Sequence, residues 1–108
     1  VPFANTQPVD RRAKELGINI IELHTGQYAN GRTKKELVRN LSRLKEAVSY
    51  AHHLGLVVNA GHGLDYNNVC PVSRLNYIHE LNIGYSIVCY SVFVGLEQAV
   101  REMKQLIS

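Results

Sequence analysis

Short apolar runs and amphipathic segments alternate along this sequence, and that order restricts its fold more than any other feature. Residues 8–16, PVDRRAKEL, open with Pro8 and Asp10 and stop at Gly17, the start and stop signals of a helix. INIIELHTG follows, isoleucine-rich and closed by glycine, as a buried strand is. Thr33 and Glu36 then form a T-x-x-E capping box, which predicts a long helix from there to about Leu54, stopped by Gly55. LVVNAG reads as the next strand. Pro71 predicts a short helix reaching about His79, and ELNIGYSIV a third strand. A last helix is expected from about Val94 to Ile107, with Leu96, Val100, Met103 and Ile107 on one side.

Strands separated by helices pair in parallel through right-handed crossovers. An open doubly wound sheet and a (β/α)8 barrel both fit this order. Three clear strands, with a possible strand end at VPFA (residues 1–4), make about half of a barrel, which as a whole takes roughly 250 residues. The 108 residues suffice for one core and one domain, 1–108. With 45% hydrophobic and 19% charged residues the chain has the composition of an ordinary folded soluble protein. No apolar run approaches the roughly 18 residues of a membrane helix, so no membrane partner is expected. The opening VPFANTQPVD lacks the basic start and apolar core of a signal peptide. Its abrupt start without methionine reads as a fragment or a processed product. Cys70 and Cys89 have no metal-type spacing and are expected to be free thiols in a reducing cytoplasm.

The net charge of +3 is concentrated in one stretch, where Arg32, Lys34, Lys35, Arg39, Arg43 and Lys45 crowd together. Such a run can grip nucleic acid. Here Leu37, Leu41, Leu44, Val48 and Ala51 recur through it at helical steps, so the cations fall on the opposite, solvated face. No aromatic residues interleave with them as a single-strand binding surface needs. No nucleic-acid partner is expected.

Chemistry-bearing side chains gather at the strand ends. Alternation along IIELHTG sets Glu22 and His24 on one face, with Ile21 and Leu23 on the other. In a barrel the polar pair points inward near the C-terminal mouth, where barrel enzymes keep their chemistry. His62 closes the next strand between Gly61 and Gly63, whose missing side chains leave clearance for a ligand. Gly84 falls at the comparable place in the third strand, before Tyr85 and Ser86. Each has a plainer reading: Glu22 in a structural ion pair, His24 donating to a backbone carbonyl. His52, His53 and His79 lie on expected helices as surface or core residues. Glu22, His24 and His62 are of types that ligate zinc, but no H-x-x-x-H pair supports a metal site. The glycines form neither a P-loop nor a G-x-G-x-x-G fingerprint.

ELHTGQYAN, VNAGHGLDYNNV, HELNIGYSIV and GLEQAVREMKQLI, in this order and spacing, resemble the C-terminal half of the pyridoxine 5'-phosphate synthase family. The resemblance covers essentially the whole chain, and the AGHGL-x-Y-x-NV and HELNIG motifs are long enough to be specific. It implies a homo-oligomeric (β/α)8 barrel about twice this length. The implied reaction condenses 1-deoxy-D-xylulose 5-phosphate with 3-amino-2-oxopropyl phosphate to pyridoxine 5'-phosphate, phosphate and water, with no metal or organic cofactor. Residue by residue, it implies that His62 is a proton donor and that Glu22 stabilises the transition state. Gly63 matches a contact to 3-amino-2-oxopropyl phosphate, and Gly84 and Tyr85 fall where the family has Gly-His on the same substrate. Cys89 and Tyr90 stand where the family has a small residue and a basic one. The alternative from another class is a non-catalytic phosphate-binding or assembly module of half-barrel type.

Overall fold

The computed structural model describes residues 7–108. In chain order the elements are α1 (Gln7–Glu15), β1 (Ile20–His24), α2 (Gly26–Ala29), α3 (Lys34–His53), β2 (Val57–Gly61), α4 (Val69–Ser73), β3 (Ile78–Asn82), α5 (Tyr85–Val94) and α6 (Leu96–Ile107). The possible strand end at VPFA lies outside the described residues.

The three strands form one parallel sheet in the order β1-β2-β3, so chain neighbours are sheet neighbours. The architecture is therefore α/β with a parallel sheet. Ile21 and Leu23 of β1 and Val58 of β2 turn toward the helices. They join Leu44, Ala47, Val48 and Ala51 of α3 in one buried cluster that also takes in Tyr28, Val69, Val72 and Met103. The cations of α3 stay exposed on its other face, as the helical spacing of its leucines requires. Thr33 accepts from the Glu36 amide at 3.1 Å while the Glu36 carboxylate accepts from the Thr33 amide, so the capping box forms as read.

Two expectations fail, both between residues 71 and 94. The helix at Pro71 ends at Ser73 and does not reach His79, which lies on β3. The chain turns through Tyr77, in the left-handed region at φ +75°, and then pairs Ile78 with Val58. The strand expected over ELNIGYSIV stops at Asn82, and YSIV opens the ten-residue helix α5. YSIVCYSVFV is apolar almost throughout, and such a run carries no periodicity that separates a buried strand from a helix. In α6 the buried positions are Ala99 and Met103, whereas Leu96 and Ile107 are exposed. No helix among the described residues is long and apolar enough to cross a membrane.

Candidate active site at the strand ends

Parallel register aligns His24, Gly61 and Asn82 at the ends of adjacent strands. Gly61, in the middle strand, has no side chain, and a Cβ there would lie 3.0 Å from the Asn82 carbonyl and 3.3 Å from Glu22 Oε1. Through that gap Asn82 Nδ2 donates a hydrogen bond to Glu22 Oε1, joining the two outer strands across the central one. The second carboxylate oxygen of Glu22 faces His62, with Oε2 3.7 Å from Nδ1. The other side of the His62 ring is covered by His24, stacked at 4.0 Å and 11° from parallel. His24 is itself oriented because its Nδ1 accepts from the Gly26 amide at 3.1 Å. A neutral His24 ring therefore carries its proton on Nε2.

His62 has φ +85°, a conformation that costs a non-glycine residue about 1–3 kcal/mol and persists only where neighbours enforce it. The loop after it is braced by its own side chains. Asn68 Oδ1 accepts from the Asp65 amide at 2.8 Å, and Asn68 Nδ2 donates to the Gly63 carbonyl at 3.0 Å. Asp65 Oδ1 accepts from the amides of Asn67 and Asn68. Buried Tyr28 donates to the Asn68 carbonyl at 2.7 Å. Burial, then the charge of Asp65 and the nearby Cys70, push its phenol above the usual tyrosine value.

One cleft of about 940 Å³ is lined by Glu22, His62, Gly63, Asn82, Gly84, Tyr85 and one side of α5. Ser86 ties α5 to the His62 loop by donating to the Leu64 carbonyl at 3.1 Å. Tyr90 donates to Glu102, and that bond, followed by burial, raises its phenol pKa. The cleft thus presents an imidazole, a carboxylate beside it, and the amides at the start of a helix. Those amides lack intrahelical acceptors and suit an anion.

All five residues singled out by the sequence (Glu22, His62, Gly63, Gly84 and Tyr85) border this cleft. Other details differ. Asn82, not Gly84, ends β3 opposite Gly61, and Gly84 precedes α5. The clearance around His62 is filled by protein: Gly61 makes way for the Glu22–Asn82 bond, and a Cβ on Gly63 would lie 2.7 Å from that of Ala29. His24 accepts a backbone hydrogen bond instead of donating one. His52 and His53 are exposed on the last turn of α3, and the free Cys89 lies in the cleft. Among the described residues no group of three His, Cys, Asp or Glu is placed to hold a metal ion. The sequence reading missed Asn82. Its signal was the period-2 spacing from Glu80, hidden by the misplaced strand.

Residues 4–108 match the family model described as pyridoxal phosphate biosynthesis protein PdxJ. The chain belongs to this family. It is 50% identical over 95 residues to a pyridoxine 5'-phosphate synthase from Idiomarina loihiensis and 52% identical over 96 residues to one from Prochlorococcus marinus. A third relative of that name, from Neisseria meningitidis, is 46% identical over 93 residues. These alignments cover 88%, 89% and 86% of this chain but 39%, 40% and 38% of the relatives. The chain therefore spans about two fifths of the length of the PdxJ relatives it matches. The resemblance read from the HTG, AGHGL and HELNIG blocks is borne out at the level of family.

Proposed function

We propose that this chain supplies part of the active site of a pyridoxine 5'-phosphate synthase, a vitamin B6 biosynthetic enzyme. The substrates on this reading are 1-deoxy-D-xylulose 5-phosphate and 3-amino-2-oxopropyl phosphate. The observation that carries it is the placement of His62, held between Glu22 and His24 where the strand ends meet the start of α5. Closing the pyridine ring expels water, and hydroxide leaves poorly unless it is protonated as it departs. An imidazolium at the mouth of the cleft supplies that proton, and the Glu22 carboxylate stabilises positive charge beside it. The backbone at Gly63, Gly84 and Tyr85 receives the phosphate of 3-amino-2-oxopropyl phosphate, with the first amides of α5 as donors.

On this reading the three parallel strands belong to a (β/α)8 barrel, and residues 1–108 are the C-terminal half of that single domain. The complete enzyme, of the relatives' length, is a cytoplasmic homo-oligomer that needs no metal or organic cofactor. Incubating it with both substrates and following pyridoxine 5'-phosphate by chromatography and mass tests the reading. Product formation is expected. A folded complete enzyme that makes none overturns the proposal.

A further inference from the structure

We infer that Thr25 is a positioning residue that holds the backbone of His62 in its left-handed conformation and thereby aims the imidazole; the inference rests on the proposed role of His62 as an acid. Thr25 follows β1 directly and is fully buried, an unusual place for a hydroxyl without a task. Its amide donates to the Gly61 carbonyl at 2.7 Å. Its Oγ1 lies 2.6 Å from the His62 carbonyl and 2.7 Å from that of Gly61. The hydroxyl has one proton, so with the amide serving Gly61 it serves His62, giving two donors for two acceptors.

Those two carbonyls belong to the peptide units on either side of the His62 Cα. Fixing both fixes the torsions between them, and so sets the direction of the Cα–Cβ bond. Free of that grip, a histidine leaves φ +85° for the ordinary region, and its ring leaves the position between Glu22 and His24. The clamp is local to this chain: Thr25 adjoins His24, which stacks on the same ring, so one short segment sets both the backbone and the ring plane.

The test is a double-mutant cycle in the complete enzyme with Thr25→Val, which keeps the shape and removes the hydroxyl, and His62→Asn. T25V is expected to lower kcat roughly 10- to 100-fold, the scale of a misplaced catalytic group, with KM much less changed. T25S, which keeps the hydroxyl, is expected to retain most of the turnover. In the H62N background T25V should add no further loss, because its effect runs through His62. If T25V does not fold, Thr25→Ala removes the same hydroxyl and carries the same test. Parental turnover in H62N would sink the acid role that the proposed function gives His62. A slow H62N beside a parental T25V, a T25S as slow as T25V, or losses that simply add would overturn the clamp and leave that function standing.

Discussion

At the scale of single residues, the glycines around His62 decide what can reach it. Gly61 keeps open the path by which Asn82 on β3 holds Glu22 on β1, and a Cβ there would press on both. Gly61→Ala is therefore expected to lower kcat of the complete enzyme by roughly tenfold or more by displacing Glu22 from His62. Steady-state kinetics check this, and an unchanged kcat would mean that the Glu22–Asn82 bond does not matter to turnover. Gly26 offers a second probe: its added Cβ would lie 2.5 Å from His24 Cε1, so Gly26→Ala should drive His24 off the His62 ring. Histidine proton resonances of the complete enzyme would report the lost stacking. The sequence showed that His62 needed clearance but not what fills it. A glycine records only an absence, and the side chains that use the space at Gly61 come from Glu22, 39 residues before it, and Asn82, 21 after it, on strands whose register is not written locally.

Elements divide by how local their signals are. The capping box of α3 was legible because all its partners lie within four residues, and Thr33→Ala should cost about 1 kcal/mol in urea denaturation of the complete enzyme. The stripe from Leu37 to Ala51 was legible for the same reason. β3 and α5 were not: IHELN is short and half polar, the mostly apolar YSIVCYSVFV fits either state, and only pairing with β2 and the turn at Tyr77 settle the boundary. The loop from Gly63 to Val69 is likewise held by a distant group, the phenol of Tyr28. Its pKa is raised above 10.0, so the native state holds that proton more tightly than the unfolded chain does. The resulting stability is fully present below pH 10 and is lost as pH rises past it. Denaturation as a function of pH should show a shallower alkaline loss in Tyr28→Phe, and an identical slope would contradict this.

Across the whole chain the exposed apolar surface is uneven. Along α5, Val92 and Phe93 are 80% and 84% exposed, and at the start of α6 Leu96 is 61% exposed, while β1 and β3 each have one unpaired edge among the described residues. Surfaces of this kind associate. The 108-residue chain alone is expected to sediment as an associated species, and a compact, cooperatively folding monomer would argue against its being half of a barrel. Alternation of strand and helix made the layer order readable, but an open sheet of three strands carries no sign of how a barrel would close. What the strand ends share is the cleft in which His62, Glu22 and the start of α5 meet, and on the proposed reading its chemistry turns on one proton. General acid help is worth about 10² to 10⁴ in rate, and asparagine keeps some of the hydrogen bonding of histidine without donating a proton in the same way. The decisive measurement is kcat and KM of the complete enzyme and of its His62→Asn variant, with the fold of both checked by circular dichroism. Turnover lower by about 10² to 10⁴ with KM little changed is the expected result. Near-parental turnover in a folded variant would contradict it and return His62 to a structural role.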